Sequence, residues 1–381
     1  MSYHWVHLVK GPAVVTLEGF GEVLGKDVSN NQVSVGVGKI LPFEIGSGCK
    51  IDIKGGKSRL VSSYNFGTAI WHQIIRRIFL ENMTTVRKIL IVGDTDTGKS
   101  TLATYITNKA LEKGYRPGII DADIGQGDLA PPNAIGAAVV TEQITDLRGV
   151  NTHFYEFVGN ISPVGFEDLI IKAVKRILAK IRTACDICVI NTDGYILNTG
   201  IEYKVRMAKE IRSDMLVCLG KASLLNNFKA RLDPSTVVFG RSPSKTTKSR
   251  IDRSKRRLNQ FQRYFKEQSR TKLIAKELSY TKFVYRGQTY SGMWIDRDGF
   301  LRLNKRKTLP VKLRRPEGMF VGLGMNREIV GFGLILNASR HELTIQSSAN
   351  DFNKIHLSNS GICNEKTVLG LDTLNRLIKK E

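Results

Sequence analysis

The sequence predicts an α/β protein with a mostly parallel central sheet and a small β-rich domain on either side of it. The central sheet is predicted from residues 88–121, where an apolar run at 88–92 is followed by a helical stretch at 100–113 and a second apolar run at 118–121. Apolar strands joined by helices are typical of a parallel sheet that is covered on both faces. The flanking domains are predicted from short apolar runs separated by turn residues near both ends of the chain.

The N-terminal domain is predicted from three apolar runs, at 13–17, 33–37 and 49–53, with turn residues between them. Apolar residues then recur at helical spacing over 68–79, which predicts a helix leading into the central domain. Short strand-like runs return after about residue 275. The predicted domains are therefore a β-rich one at 1–66, a central one at 67–274 and a second β-rich one at 275–381.

The composition is that of a folded globular protein with an unusual charge balance. The chain has 381 residues, of which 41% are hydrophobic and 24% charged, so it can form two or three domains and is neither disordered nor collagen-like. It carries 58 Lys and Arg against 35 Asp and Glu, a net charge of +23. Such an excess makes a polyanionic partner the first class to consider.

Most of the positive charge lies in two segments. Residues 241–276 hold 13 basic and 2 acidic residues, and residues 302–315 hold 7 basic residues and no acidic one. Together the segments carry +18 of the net +23. A run of charge is often only a solvated face, but this concentration favours a surface that binds phosphates.

The five cysteines, Cys49, Cys185, Cys188, Cys218 and Cys363, are too scattered for a disulfide framework and predict a reducing, cytoplasmic location. Cys185 and Cys188 are interpreted as small buried strand residues rather than as a redox or metal pair. No apolar stretch reaches the roughly 18 to 20 residues of a membrane span, so no membrane partner is predicted. The histidines form no cluster of zinc-ligand spacing.

The strongest motif is the run G-D-T-D-T-G-K-S at 93–100, which matches the phosphate-binding pattern G-x-x-x-x-G-K-[ST] between a predicted strand and a predicted helix. In such a loop the backbone N–H groups surround the nucleotide phosphates, Lys99 reaches the β- and γ-phosphate oxygens, and the Ser100 hydroxyl can ligate Mg²⁺. The sequence therefore predicts a P-loop NTPase core. The predicted nucleotide-binding residues are Gly93, Asp94, Thr95, Asp96, Thr97, Gly98, Lys99, Ser100 and Thr101.

Two aspartates, Asp121 and Asp123, follow the next predicted strand. Carboxylates at the end of a neighbouring parallel strand lie beside the bound phosphates, where a P-loop enzyme needs Mg²⁺ ligands or a base. If the strand continues, the two side chains share a face; if it ends at Asp121, the side chain of Asp123 can point into the cleft. The alternative is a solvated acidic loop, which would not account for Gln126 and the glycines that follow.

Further segments carry motifs that belong together. They are D-I-G-Q at 123–126, F-V-G-N-I-S-P at 157–163, N-T-D-G-Y at 191–195, Tyr203 with Lys204, a basic stretch at 250–265, and V-G-L with V-G-F-G-L-I between 321 and 335. With the phosphate loop they resemble the P-loop polynucleotide 5′-hydroxyl kinases, which include the RNA-kinase subunit of the pre-mRNA cleavage complex and the ribosomal-RNA-processing kinases. The resemblance covers residues 68–265 and is weaker in the flanking domains.

The resemblance implies an ATP- and Mg²⁺-dependent kinase that transfers the γ-phosphate to the 5′-hydroxyl of RNA, with DNA as an alternative acceptor, and a compact, archaeal-type chain. Lys99 would hold the donor, and Ser100 with Asp121 or water would hold Mg²⁺. Asp123 is the candidate that accepts the proton of the 5′-hydroxyl. No protein partner is identified by these motifs.

The basic stretch resembles the arginine-rich lid of the family and is placed at about 241–270. Arg253 and Arg257 are four residues apart, so on a helix they share a face and both could contact phosphate oxygens. The alternative is that either is a surface residue. An extended polar segment, 242–249, precedes the lid and leaves its arginine register open.

The acceptor side is predicted from the clasp-like loop and from Tyr195. With Gln126, the residues Gly159, Asn160 and Ser162 would contact the acceptor or the γ-phosphate, although a turn-forming role for Gly159 and Asn160 is the alternative. Tyr195 stands where relatives have a tryptophan that stacks on a nucleobase. A tyrosine ring still offers a stacking face worth about 1–3 kcal/mol per base.

A second function stays open at this stage. A P-loop NTPase could act as a nucleotide-dependent RNA-processing scaffold without kinase activity. Such a scaffold would not need the D-x-G-Q run, the clasp and the arginine lid together, so the kinase is the preferred hypothesis.

Overall fold

The strand–loop–helix order expected around the phosphate loop is present in the computed structural model of the chain. The structure describes residues 5–66, 68–79, 87–243, 249–264, 269–304, 310–339, 341–363 and 367–370. The chain divides into two compact units: a first unit of Met1–Ile120, Ala138–Asn151 and Leu178–Lys248, and a second unit of Asp121–Ala137, Thr152–Ile177 and Ser249–Glu381. The three-domain division predicted from the sequence stays a prediction.

An antiparallel sheet forms the beginning of the first unit, as the apolar runs predicted. Its strands are Trp5–Glu18, Gly21–Val23, Lys26–Asp27, Gln32–Val35, Ile40–Ile45 and Lys50–Ser62. Trp5–Glu18 and Lys50–Ser62 pair along nearly their whole lengths and are longer than the predicted runs. In Trp5–Glu18 buried and exposed side chains largely alternate, and Lys50–Ser62 has no buried side chain, so continuous apolar runs mark only part of each strand.

Five strands of the mostly parallel sheet lie wholly or mainly in the first unit, in the order Pro117–Ala122, Ile187–Thr192, Arg87–Gly93, Met215–Leu219 and Val237–Gly240. Arg87–Gly93 pairs in parallel with both of its neighbours, and Met215–Leu219 pairs in parallel with Val237–Gly240. Its strands are almost wholly buried, which is the reason for their continuous apolar sequence. The helices of this unit are Ser63–Phe66, His72–Ile78, Lys99–Glu112, Gly200–Ile211 and Ala222–Lys229, with 3-10 turns at Thr68–Trp71, Leu147–Gly149 and Pro234–Thr236.

The second unit contains the β-rich end of the chain. Its large sheet has the order Ser269–Ile274, Glu342–Ser347, Glu328–Ala338, Met319–Met325, Lys354–Cys363, Lys282–Tyr285 and Gln288–Tyr290, with Thr367–Gly370 beside Lys354–Cys363. A small sheet is formed by Gly292–Ile295, Leu301–Asn304 and Val311–Lys312. Helices Arg250–Tyr264 and Ala275–Tyr280 also belong to this unit, and strand Ala134–Val139 pairs antiparallel with Phe154–Phe157. Helix Glu167–Ile181 runs from the second unit into the first.

The strands predicted after residue 275 are confirmed. Both Cys185 and Cys188 are buried, as predicted, but only Cys188 lies within a strand, Ile187–Thr192. In the described parts of the chain, no helix combines the length and the apolar character needed to cross a membrane.

Candidate functional site

The phosphate loop of the first unit is shaped by two glycines. Gly93 ends strand Arg87–Gly93 with φ +154°, and a Cβ atom there would lie 2.5 Å from the carbonyl oxygen of Leu219. Gly98 has φ +93° and directly precedes helix Lys99–Glu112. A side chain would clash at the first position and strain the backbone at the second. The glycines thus let the chain turn from a strand into a helix whose free N–H groups face the loop.

The Lys99 side chain is buried at the start of this helix and lies against its own loop. Its ammonium group donates hydrogen bonds to the carbonyl oxygens of Gly93, at 3.0 Å, and Asp94, at 2.7 Å. The Thr97 hydroxyl donates to the same Asp94 carbonyl at 2.8 Å. The loop therefore keeps a cation directed at its own interior, where bound phosphate oxygens would compete with the two carbonyls.

Ser100 has a partner on the neighbouring strand that was not among the predicted site residues. The side-chain amide of Asn191 donates to the Ser100 hydroxyl oxygen at 3.1 Å, and Thr192 donates to the Ile91 carbonyl at 2.8 Å. Asn191 lies at the carboxyl end of Ile187–Thr192, beside the phosphate-loop strand. That position at the end of a parallel strand was a sequence signal for a site residue.

Tyr195 belongs to a turn that packs on the phosphate loop. A Cβ atom on Gly194 would lie 2.4 Å from the Thr95 hydroxyl oxygen and 2.6 Å from the Thr95 nitrogen, so only glycine permits this approach. The Tyr195 N–H donates to Oδ1 of Asp193 at 2.9 Å, and the Tyr195 ring is partly exposed. Tyr195, whose ring is predicted to stack on a base, therefore directly follows the glycine that approaches Thr95 of the nucleotide-binding loop.

A buried ion pair holds this turn. The Lys204 ammonium donates to Oδ2 of Asp193 at 2.8 Å, the Tyr203 hydroxyl donates to the same oxygen at 3.3 Å, and Lys204 is 0% exposed. The Lys204 ammonium also lies 4.3 Å from the centre of the Tyr203 ring. Asp193 thus uses one oxygen for the ion pair and the other for the Tyr195 N–H.

In the second unit, Asp121 and Asp123 organise one tight loop. Strand Pro117–Ala122 continues through Asp121, which is 1% exposed, and Asp123 follows the strand end. Oδ1 of Asp123 accepts hydrogen bonds from the N–H groups of Gly125, at 3.0 Å, and Gln126, at 2.8 Å. Oδ2 of Asp121 accepts from the Asp128 N–H at 2.6 Å. The run is therefore a built loop rather than a solvated acidic one.

The lid helix, Arg250–Tyr264, is anchored on this aspartate loop. The Arg256 guanidinium binds the buried Asp128 carboxylate at 2.8 Å, and Gln260 donates to the carbonyl oxygens of Asp128 and Ala130 at 2.8 and 3.1 Å. Tyr264 donates to the Leu129 carbonyl at 2.8 Å. Neither Arg256 nor Asp128 is among the predicted site residues, although the spacing of 256, 260 and 264 marks one face of a helix.

Charges converge where the lid helix meets the aspartate loop. Burial lowers the pKa of Arg256, but the carboxylates of Asp128, Asp123 and Asp121 outweigh it and raise that pKa above its ordinary value. Burial and the neighbouring Arg253 guanidinium lower the pKa of Arg257, against an opposing effect of Asp123. Arg256 is thus matched by acidic groups, whereas Arg257 is crowded by a second cation.

Arg253 and Arg257 lie four residues apart within helix Arg250–Tyr264, so they share one of its faces, as their spacing predicted. The Gln126 side-chain amide donates to the Arg253 carbonyl at 3.3 Å, which brings this turn of the helix against the D-I-G-Q run. Nε of Arg257 is buried and has no hydrogen-bond partner among the described residues. Such a donor would gain from an anion bound beside it. Phe265, the last residue of the motif in the sequence, lies outside the described residues, as do 244–248 of the segment before the lid.

The clasp-like loop also belongs to the second unit. The N–H groups of Val158 and Gly159 donate to the Asn133 carbonyl at 2.8 and 3.1 Å, and Gly159 has φ +85°. The Asn160 amide donates to the Ser162 carbonyl at 3.0 Å, so this side chain closes a local turn. The turn-forming alternative is thereby supported for Gly159 and Asn160, while acceptor contacts by these residues and Ser162 stay a prediction.

The predicted site residues thus fall into two groups. The first unit brings together the nucleotide-binding loop and Tyr195. The second unit brings together Asp121, Asp123, Gln126, Arg253 and Arg257, with the clasp-like loop beside them because Gly125 approaches the Ile161 carbonyl closely.

Comparison with known proteins finds similar families and folds. Residues 93–267 match the family described as the P-loop of mRNA cleavage and polyadenylation factor CLP1. The polyribonucleotide 5′-hydroxyl-kinase of Pyrococcus furiosus is 30% identical over 178 residues, which are 47% of this chain and 50% of that protein. A CLP1 homolog from Nematostella vectensis is 27% identical over 274 residues, 66% of this chain and 64% of that protein. The chain spans about half the length of the archaeal kinases it matches.

The fold is shared over nearly the whole chain with a solved structure. The Clp1p chain of a Clp1p–Pcf11p complex superposes with a TM-score of 0.69 at 13% identity, covering 94% of this chain and 98% of that one. The α/β P-loop core with β-rich flanking regions is therefore confirmed. The expectation of a compact, archaeal-type chain is not supported, because the 381 residues match the Clp1p chain in extent.

Proposed function

We propose that this chain transfers the γ-phosphate of ATP to the 5′-hydroxyl of RNA. The observation that carries the proposal is the contact of Gly194 with Thr95, which joins a nucleotide-binding loop to the turn that presents Tyr195. A nucleotide switch needs the loop alone, whereas a polynucleotide kinase needs an aromatic platform for the acceptor beside it. The match of residues 93–267 to the CLP1 P-loop family gives independent support.

The roles follow from the chemistry of the side chains. Lys99 and the loop N–H groups hold the donor phosphates, and Arg253 and Arg257 neutralise charge on the transferring group. The carboxylate of Asp123 takes the proton of the 5′-hydroxyl while the hydroxyl oxygen attacks the γ-phosphorus. The bond from the γ-phosphorus to the bridging oxygen breaks, and ADP leaves.

The proposal includes Mg²⁺, for which the oxygen donors present are suitable. The hydroxyl oxygen of Ser100 is oriented by the Asn191 amide, and Asp121 supplies a buried carboxylate. Hard oxygen ligands of this kind fit Mg²⁺. Ser100 and Asp121 would hold the ion, which would neutralise phosphate charge when bound.

Transfer of label from γ-labelled ATP tests this function directly. With Mg²⁺ present, label is expected on 5′-hydroxyl oligoribonucleotides and not on the same oligonucleotides bearing a 5′-phosphate. A 5′-hydroxyl oligodeoxynucleotide measures the alternative acceptor. Label found only in inorganic phosphate would favour the nucleotide-dependent scaffold instead.

Asp123→Asn is expected to lower turnover by about 10²–10⁴-fold, the usual contribution of a general base. The fold should persist because the asparagine Oδ1 can still accept from Gly125 and Gln126. Asp351→Asn, at an exposed position of the same unit, is the matched control and should be silent. Unchanged turnover in Asp123→Asn would remove Asp123 as the base and leave Asp121 as the next carboxylate to test.

Arg253→Lys and Arg257→Lys are each expected to lower turnover strongly with little change in RNA affinity. Lysine keeps the charge but loses the two-pronged hydrogen bonding of the guanidinium. Lys255→Met, on the exposed side of the same helix, controls for a general change in the lid. Silent variants at 253 and 257, with turnover lost at Arg250, would show that the register of the lid is different. Loss of turnover at Arg256 would not distinguish the registers, because that change also breaks the ion pair with Asp128.

A further inference from the structure

The small sheet of the second unit places one aromatic and two basic residues side by side on neighbouring strands. Its strands Gly292–Ile295, Leu301–Asn304 and Val311–Lys312 pair antiparallel, with Trp294 opposite Arg302 and Arg302 opposite Lys312. The three residues therefore form a row across the sheet, spanning two strand spacings or about 10 Å. None of them belongs to the sites described above.

The row lies on the outer face of this sheet. The residues on either side of each member pack in or against the hydrophobic core of the unit; they are Met293, Ile295, Leu301, Leu303, Val311 and Leu313. Successive side chains of a strand point to opposite faces. Trp294, Arg302 and Lys312 therefore share the face directed away from that core.

This outer face combines positive charge with aromatic rings. Lys312 is exposed, and its ammonium lies 3.9 Å from the centre of the Phe300 ring. Arg302 is 27% exposed, and its Nε donates to Asp296 at 2.8 Å, which leaves the terminal guanidinium nitrogens for other partners. Trp294 is partly exposed beside Arg302. Arg302 and Lys312 thus place two cations on this face, which favours a polyanion.

We propose that the outer face of the small sheet binds single-stranded RNA. A base stacks on Trp294, and Arg302 and Lys312 contact the adjoining phosphates. A duplex is disfavoured because its bases stay stacked on each other, and an acidic protein segment offers charge but no base to stack on the indole. The proposal rests on the proposed function only in the choice of RNA as the polymer. It gives the proposed kinase a second RNA contact, outside the candidate site described above.

Intrinsic fluorescence can report this stacking. In the full chain carrying Trp5→Phe, the remaining tryptophans are Trp294 and Trp71, and Trp71 is 2% exposed. Adding a 20-nucleotide oligouridylate without ATP is expected to quench the emission. The quenching should disappear when Trp294→Phe is added, although binding should persist because phenylalanine can still stack.

Affinity measured by fluorescence anisotropy supplies the second readout. Trp294→Ala is expected to weaken binding of the labelled 20-nucleotide oligouridylate about 5- to 150-fold, the effect of losing one stacked base. Lys312→Ala should reduce the slope of log affinity against log salt by about 0.7. Tyr280→Ala and Lys282→Ala, at exposed positions of the same unit, are the matched controls and should be silent.

Two outcomes would overturn the proposal. The first is that Trp294→Ala and Lys312→Ala bind RNA as tightly as the control variants do. The second is that both substitutions weaken binding of polyglutamate as much as binding of RNA, because the face would then be a general anion site. If Trp294→Ala fails to fold, the exposed Lys312→Ala still decides. These binding assays contain no ATP, so their results do not depend on kinase activity. A negative result in them would likewise not contradict the transfer of label from ATP.

Discussion

Lys99→Ala is expected to lower the rate of 5′-phosphorylation by at least about 1,000-fold. The ammonium group is the cation that the phosphate loop directs at its own interior, where it bonds to the carbonyl oxygens of Gly93 and Asp94. Electrostatic stabilisation of transferring phosphoryl groups contributes effects of this size. Alanine is a good residue for the first turn of a helix, so the secondary structure should be retained.

Two measurements decide this prediction. Turnover is followed as label transferred from ATP to a 5′-hydroxyl oligoribonucleotide, and RNA affinity without ATP is measured on the same variant. The affinity should change less than about 2-fold, because Tyr195 and the basic segments are left intact. Lys113→Ala, at the exposed end of the same helix, is the matched control. Turnover within a factor of ten of the unmodified chain would remove Lys99 from the reaction.

The phosphate loop and the lid helix were predictable because each depends on a local pattern. A strand, a glycine-bounded loop and a helix follow one another within 93–112, so adjacent residues determine the geometry. The shared face of Arg253 and Arg257 likewise follows from helical spacing, and helix Arg250–Tyr264 confirms it. In these places the interacting residues are near neighbours in the sequence.

The anchor of the lid helix was not predictable in the same way. Arg256 and Asp128 are 128 residues apart, and any of several basic residues in the stretch could have paired with any acidic one. The four-residue spacing that predicts a shared face for Arg253 and Arg257 is also present between Arg256 and Gln260. The buried face of an amphipathic helix is usually marked by its apolar residues. A helix rich in charged residues has few of them, so its sequence indicates the buried face only weakly.

The row of Trp294, Arg302 and Lys312 on the small sheet could not be predicted because it depends on strand register. The sequence indicated a basic segment at 302–315 but gave no strand register, so Trp294 could not be aligned with Arg302 and Lys312. A shift of one residue would have turned every side chain to the opposite face. Only the pairing of the three strands brings an indole and two cations together.

Lys204→Met is expected to lower the free energy of unfolding by about 3–5 kcal/mol. The change leaves the carboxylate of Asp193 buried without its cation, and breaking one side of a buried ion pair has costs of this order. The same change should raise the KM for RNA more than it lowers kcat, because Lys204 is a positioning residue for the turn that carries Tyr195. Lys209→Met, at an exposed position of the same helix, should stay within about 0.5 kcal/mol of the unmodified chain.

The double variant Asp193→Asn with Lys204→Met separates positioning from general destabilisation. Removing both charges of a buried pair is often nearly neutral for stability, and the asparagine Oδ1 can still accept from the Tyr195 N–H. We therefore expect the double variant to regain most of the unfolding free energy and the original KM for RNA. Urea unfolding followed by circular dichroism gives the first quantity, and label transfer at varied RNA concentration gives the second. If stability returns while the KM for RNA stays raised, the charge of Lys204 acts on RNA directly and not through the turn.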